Sequence, residues 1–542
     1  MASSAPRSRL AAGVCIAALV VAASCSGEPD TREGIRADAD PTLLVPPVAD
    51  GSIVVVTDGD SVPFDRRLLG TNAPAWITPS RLVDPAFHEQ IVDMGATVLR
   101  MPGGSWSSGY EWLACEQQIG CEWHWAARPS DFVELLEGTG LEGMWTVSFN
   151  GTAEEAAALV AFFNGDVDDT RVIGEDRRGR DWGTVGRWAT MRSDAGHPDP
   201  VNVGLWEVGN EVFGARADMG GSGCADFGWE HVWTCDGTEY VMGDDEHDGF
   251  LRFREEMLAV DPSIEIGAVG ISGGQDGWGD FGNEVIEAAA GEIDFYVVHD
   301  YGFNEAAPVD EVLDRPSDAW PDILDDARDV LAESNAGSDV PIAVTEYNMF
   351  AFREGDTDGM MAEAISAFYI ADTIGQMALN GVGIANQWNL VNGMTDAGSD
   401  YGVFDVDTGA AHPVFYAMAL WSRFADAFVP VAVGDDLDDS LRVYAGRSAD
   451  GTVTLFVLNE TDEATESAIE LDGVVGTLTG TAHMMTAASL DDRQVDFNGV
   501  APTSTDLDAY PPAEIDPVVD GRLSFTFPPF SLTMLTFAPS EV

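Results

Sequence analysis

The ten residues LWEVGNEVFG (205–214) place two carboxylates, an amide and two glycines behind an apolar lead-in. A strand that simply turned would need one turn residue there, whereas Asn210 followed by Glu211 sends out an amide and an acid together. A second acid, Glu346, ends the apolar part of PIAVTEYNM (341–349). Further polar residues recur where apolar runs stop: Arg100 with Gly103 and Gly104, then His299 with Tyr301, then Gln387, Trp388 and Asn389. Two carboxyl groups facing each other over His, Tyr, Trp, Asn and Arg suit the cleavage of a glycosidic bond. One must be protonated to release the leaving alcohol and the other ionised to attack the anomeric carbon, and different neighbours drive their pKa values apart. Each residue also has a plainer reading: Glu207 as a salt-bridge partner of Arg100, His299 as a hydrogen-bonded core histidine, the double glycine as a turn. Their joint placement at strand ends is what points to chemistry.

Eight short apolar runs carry these residues. They are RLLGTNAPAW (67–76), TVLRMPGG (97–104), GMWTVSFN (143–150), VGLWEVGNE (203–211), IEIGAVGIS (264–272), IDFYVVHDYG (293–302), PIAVTEYNM (341–349) and GIANQWNL (383–390). Amphipathic stretches such as 153–163 and 359–379 lie between them, so the pattern is β then α, eight times. That alternation predicts an α/β fold, a (β/α)₈ TIM barrel over 67–426, with its chemistry at the C-terminal strand ends. Two packed α/β domains would give the same count. Near Phe428 the pattern changes to alternating strands, with a turn at Asp450–Gly451, and predicts a C-terminal antiparallel β-sandwich domain over 427–542. The early run SIVVVTD, within 51–66, is expected to join it. All fifteen tryptophans lie at or before Trp421. The sandwich therefore reads as structural packing, without the Trp-rich platform of a sugar-binding module.

Composition excludes some chemistry. The net charge is −67 and all 26 basic residues are arginine, so a lysine Schiff base is ruled out, and nucleic acid and anionic headgroups are repelled. Arg7 and Arg9 precede an apolar run from Leu10 to Val21, too short to span a bilayer and suited to a signal peptide over 1–24. AASCSG resembles a lipoprotein cleavage box, with Cys25 as the lipidated residue, Ala22 where Leu is usual, and an acidic linker over 25–50; ordinary signal cleavage is the alternative. The expected place is outside the cell or on the outer face of its membrane, held there only by that lipid. Four of the six cysteines remain, and nearness in sequence pairs Cys115 with Cys121 and Cys224 with Cys235 in an oxidising compartment. Neither pair has zinc-site spacing. No metal and no cofactor are expected.

The strand-end motifs together resemble the glycoside hydrolases of clan A, and most of all their α-L-arabinofuranosidases, from about Leu68 to Phe537. The resemblance rests on LRMPGGSWSSGYEW (99–112), EEAAALVAFFNGD (154–166), GHPDPVNVGLWEVGNE (196–211), HDY (299–301), TEYN (345–348) and HPVFYAMALWSRF (412–424). It implies Glu211 as acid/base and Glu346 as nucleophile, with Asn210 on the sugar 2-hydroxyl and Tyr301 orienting Glu346. It also implies that Arg100 favours ionised Glu346 and that His299 and Trp388 line the sugar pocket. The substrate implied is an oligo- or polysaccharide with terminal α-L-arabinofuranosyl residues, cleaved with retention. Two positions depart from the family: Ser105 follows the double glycine where Asn is usual, and the first strand offers Asn72 where a sugar-binding Glu is usual. Related β-xylosidases, β-glucuronidases and endoglucanases share the Asn–Glu strand and stay open.

Two readings from other classes compete. GISGG (270–274) matches the G-x-S-x-G elbow of serine hydrolases, but that elbow requires a helix directly after the serine, and GGQDGWGDFGN follows. A non-catalytic sugar-binding lipoprotein on the same scaffold would be signalled by loss of a strand-end glutamate, and both are present. Acidic runs such as GDDEHDG (243–249) lack calcium-loop spacing.

Overall fold

The computed structural model describes residues 48–539 apart from 122, 222, 226, 273–277, 279, 290, 334–339 and 438–439. The expected signal peptide, Cys25 and nearly all of the acidic linker lie outside the described residues. Among the described residues no helix is long and apolar enough to cross a membrane.

Eight parallel strands close into a barrel. In order they are Gly70–Asn72, Val98–Met101, Glu142–Val147, Leu205–Val208, Glu265–Val269, Phe295–Phe303, Ile342–Phe350 and Ile384–Gln387. The eighth pairs with the first through Asn386 and Gly70, which closes the ring. A helix follows each strand, from Pro85–Asp93 after the first to Val414–Trp421 after the eighth. The helix Ala153–Asn164 shows how local chemistry sets these units. Thr152 caps it by accepting from the Glu155 N–H, and Glu154 and Glu155 sit in its positive first turn. Its alanines are buried, which lets the helix lie close to its neighbours.

Inside the barrel, residues two apart on a strand point to the same lumen and stack in layers. Val98, Met144, Leu205, Val297, Ala343 and Ile384 belong to one apolar cluster. Two residues further along the same strands come Arg100, Thr146, Glu207, His299, Thr345 and Asn386. The barrel thus changes from oil to charge within a single step toward its C-terminal mouth.

The second sheet has twelve mostly antiparallel strands, and Ser52–Val56 joins it between Val431–Val433 and Thr465–Asp472. Ile53 and Val55 share a core with Leu455, Val457, Leu535 and Phe537, so the sheet folds over on itself as a sandwich. The hairpin Leu441–Arg447 with Val453–Asn459 turns at Gly451, whose φ is +88°. Trp421, at the end of the last barrel helix, packs 5.0 Å from Phe456 of this sheet.

Candidate active site

Strand four ends at Val208, and the chain leaves it through Gly209 at φ +86°. Glu211 then takes a left-handed conformation, φ +41° and ψ +42°, which costs a non-glycine residue about 1–2 kcal/mol. This turn lifts Asn210 and Glu211 together into the mouth. Strand seven uses a different device. Moving from Val298 to His299 on strand six spans Val344 to Glu346 on strand seven, and Ala385 to Gln387 on strand eight spans Val344 to Tyr347. Strand seven therefore carries one extra residue against both neighbours, a bulge that re-aims side chains. Thr345 keeps to the lumen, and Glu346 turns to face Glu211.

One carboxyl oxygen of Glu211, one ring nitrogen of His299 and one carboxyl oxygen of Glu346 lie within 4.8 Å of one another. Nδ1 of His299 is 2.8 Å from Glu211 Oε1 and 3.7 Å from Glu346 Oε2, and Nε2 is 2.9 Å from Thr345 Oγ1. Tyr301 donates its hydroxyl to Glu346 Oε2 at 2.7 Å, and Arg100 Nη1 donates to Glu346 Oε1 at 2.8 Å. Arg100 is fully buried and reaches three more partners: Glu207 Oε2 at 2.6 Å, Asn72 Oδ1 at 2.9 Å and Asn210 Oδ1 at 2.8 Å.

Of the eight residues expected from the sequence, Arg100, Asn210, Glu211, His299, Tyr301 and Glu346 meet in one hydrogen-bonded network at this mouth, and Asn72 lies beneath it. Trp388 stands against Gly104, where a Cβ would meet its ring at 2.4 Å, so glycine is required there. Asn72 is fully buried, and its amide is engaged by Arg100 and by the carbonyls of Thr345, Asn386 and Gln387. It is part of the floor that holds Arg100. Glu207 is the buried partner of Arg100, as its plainer reading expects.

Sequence reasoning expects one carboxyl to rest protonated, and the electrostatics divide that task. Burial raises the pKa of Glu211, but the hydrogen bond and charge of His299, Trp229 and Arg100 outweigh it and hold the carboxyl below its ordinary value. Burial opposes the imidazolium of His299, yet Glu346 and Glu211 together raise it. The two shifts run in opposite directions, and each of the pair, Glu211 and His299, contributes to the other's.

Two residues were not singled out in the sequence. Trp229 Nε1 donates to Glu211 Oε2 at 2.5 Å. Glu230 is wholly buried and accepts from Asn210 Nδ2 at 2.9 Å and Ser108 Oγ at 3.0 Å. Burial, and after it the charge of Glu211, push its carboxyl up to about 8. The only signal for either was their position between Cys224 and Cys235.

Both expected disulfides are present, Cys115–Cys121 and Cys224–Cys235, in the loops after strands two and four. A cavity of about 740 Å³ is bordered by Ser105, Trp106, Asn150, His231 and Trp229, the residue that donates to Glu211. After strand five the helix begins at Phe281, well beyond the Ser272 of the GISGG match, whose last two residues lie outside the described residues. Among the described residues three trios could approach an ion: Glu211–His299–Glu346, Glu134–Glu137–His197 and Asp400–Asp405–His412. In the first, Arg100 already supplies a fixed positive charge to Glu346.

No family model matches the sequence. The intracellular exo-α-(1→5)-L-arabinofuranosidase of Bifidobacterium longum is 26% identical over 353 residues, covering 59% of this chain and 53% of that protein. The chain thus spans about half the length of this curated relative. The α-L-arabinofuranosidase of Thermotoga maritima, solved with arabinose, superposes with a TM-score of 0.65 at 20% identity, over 90% of this chain and 100% of that one. A family 51 α-L-arabinofuranosidase of Thermotoga petrophila gives 0.67 at 19% identity, over 90% and 99%. Such structures share the barrel-plus-sandwich fold. With the sequence matches, they show that the chain resembles the α-L-arabinofuranosidase-like glycoside hydrolases of clan A.

Proposed function

We propose that this protein is a retaining glycoside hydrolase that releases terminal α-L-arabinofuranosyl residues from oligo- or polysaccharides. The observation that carries the reading is the approach of Glu211 and Glu346 within 4.8 Å across the barrel mouth. Retaining enzymes hold their carboxyl groups about 5 Å apart, whereas inverting ones leave room for a water between them. Glu346 attacks the anomeric carbon as the bond to the leaving oxygen breaks, and Glu211 gives that oxygen its proton. The glycosyl ester then yields to a water whose proton returns to Glu211. Arg100 and Tyr301 hold the Glu346 carboxyl in place. Asn210, pinned by Arg100, presents its amide to the sugar 2-hydroxyl. The cavity beside Trp229 lies on the acid's side, where the leaving alcohol departs.

The sugar is the finer part of the reading, and it is supported by the arabinofuranosidase resemblances. Ser105 is a shorter partner than the usual Asn, and Asn72 is turned into the floor, an observation that favours a second reading as a β-xylosidase or another clan A glycosidase. Hydrolysis of 4-nitrophenyl α-L-arabinofuranoside beside the β-xyloside, β-galactoside and β-glucuronide tests this, with the anomer released followed by proton NMR. An inert arabinofuranoside beside a cleaved alternative overturns the sugar and leaves the mechanism. Inversion of the anomeric centre overturns the mechanism.

Export as a lipoprotein is proposed from the N-terminal sequence, and the two disulfides suit an oxidising compartment. Cys25→Ser should move the protein from the membrane fraction to the medium; unchanged fractionation argues against the lipid.

A further inference from the structure

The loop after strand four is closed on itself by Cys224–Cys235, whose Cα atoms are 5.6 Å apart. Its adjacent residues Trp229 and Glu230 lie against the turn that carries Glu211. The N–H groups of both donate to the Gly214 carbonyl at 2.9 Å, and the Arg216 N–H donates to the Glu230 carbonyl at 3.0 Å. Two glycines permit this approach. A Cβ on Gly214 would meet the Trp229 ring at 2.8 Å, and one on Gly228 would meet the Ala215 carbonyl at 2.3 Å.

Each residue has one target in the site. Glu211 has Oε1 on His299 at 2.8 Å and Oε2 on Trp229 at 2.5 Å, so both oxygens are fixed. Asn210 has Oδ1 on Arg100 at 2.8 Å and Nδ2 on Glu230 at 2.9 Å, so its amide cannot turn over. Glu230 is also hydrogen-bonded to Ser105, the residue that departs from the family pattern, and to Ser108. We infer that Trp229 and Glu230 are positioning residues: the disulfide-closed loop aims the acid's carboxyl through Trp229 and the 2-hydroxyl-binding amide through Glu230. The inference rests on the proposed function for what Glu211 and Asn210 do.

The two contacts predict different signatures. Trp229 donates to the carboxylate form of Glu211, so losing the donor raises the acid's pKa and weakens its aim. Glu230 acts on Asn210, whose bond to the sugar strengthens in the transition state whatever the leaving group. An acceptor oxygen at position 230 is sufficient for that, with or without charge.

The test uses the full mature chain and two substrates, 4-nitrophenyl and methyl α-L-arabinofuranoside. Trp229→Phe should lower kcat on the methyl glycoside about tenfold more than on the aryl one, and move the alkaline limb of kcat/KM to higher pH. Glu230→Ala should lower kcat/KM on both substrates alike by about 10- to 100-fold, as expected when a buried donor is left unpaired. Glu230→Gln should restore most of that, because its amide oxygen accepts from Asn210. Cys224→Ser with Cys235→Ser should reproduce both losses in a protein that still melts cooperatively. Equal leaving-group dependence and an unshifted limb in Trp229→Phe, together with wild-type kinetics in Glu230→Ala, overturn the inference. If the wild type cleaves no glycoside in the panel, the functional reading falls by itself. A crystal structure of Glu230→Ala then decides the inference: Asn210 rotated off Arg100 supports it, and Asn210 unmoved overturns it.

Discussion

Nδ1 of His299 sits 2.8 Å from Oε1 of Glu211, with the ring's other nitrogen 2.9 Å from Thr345 Oγ1. The pKa of the histidine is raised above its ordinary 6.5 and that of the glutamate is lowered below its ordinary 4.5, each partly by the other. If Glu211 is the acid, as proposed, its activity depends on a proton that it shares with His299. On that reading the alkaline limb of kcat/KM should report loss of the shared proton and lie above pH 6.5. The stability this pair gives His299 has the same sign: it is present below 6.5 and lost as pH rises through the raised value. A pH–rate profile with its alkaline limb at or below 6.5 would contradict this.

Glu346→Gln should abolish turnover while leaving the fold intact, because the amide oxygen can still accept from Arg100 and the amide NH2 can donate to the Tyr301 hydroxyl. Glu211→Ala should slow substrates with poor leaving groups by orders of magnitude more than activated aryl glycosides, which need little protonation. Equal losses on both substrate types would remove Glu211 from the acid's role.

Arg100 joins strand two to strands one, four and seven through its contacts with Asn72, Glu207, Asn210 and Glu346. A lysine offers one ammonium where the guanidinium spans four oxygens. Arg100→Lys should reduce kcat/KM by about a thousandfold, and stability by about 3–5 kcal/mol, the cost of leaving buried charges unpaired. Urea unfolding and steady-state kinetics check both, and retention of activity within tenfold would refute the clamp.

Glu230 affects stability in the direction opposite to a salt-bridged acid. Its folded value is about 8 against an ordinary 4.5. Below pH 4.5 both states are protonated; between 4.5 and 8 the unfolded chain ionises while the folded one keeps its proton, so stability falls as pH rises. Glu230→Gln carries no such penalty. Relative to wild type it should gain on the order of a few kcal/mol at pH 8 and almost nothing at pH 4.5. Urea unfolding at the two pH values measures this, and a gain independent of pH would show that packing, rather than ionisation, sets the difference.

The sequence alone specifies eight β-then-α units, because apolar runs and amphipathic stretches alternate eight times and each signal is local, while closure of the ring through Asn386 and Gly70 is seen only in the fold. It also specifies which residues reach the mouth from strands two, four, six, seven and eight. A polar residue after an apolar run on a barrel strand has no other low-energy place to be. The paired cysteines were legible for a similar reason, since short loops leave few partners.

Three things were decided only by tertiary structure. The bulge that turns Glu346 toward Glu211 is a mismatch between strand seven and its two neighbours, and no single strand records it. Asn72 faces the floor because Arg100, 28 residues away, needs an acceptor there. Glu230 enters the site from a loop whose composition resembles any acidic surface segment, and only its burial against Asn210 and Ser108 distinguishes it. Periodicity and turn chemistry report on neighbours along the chain, whereas hydrogen-bond register and the placement of a proton between Glu211 and His299 depend on groups brought together from across it.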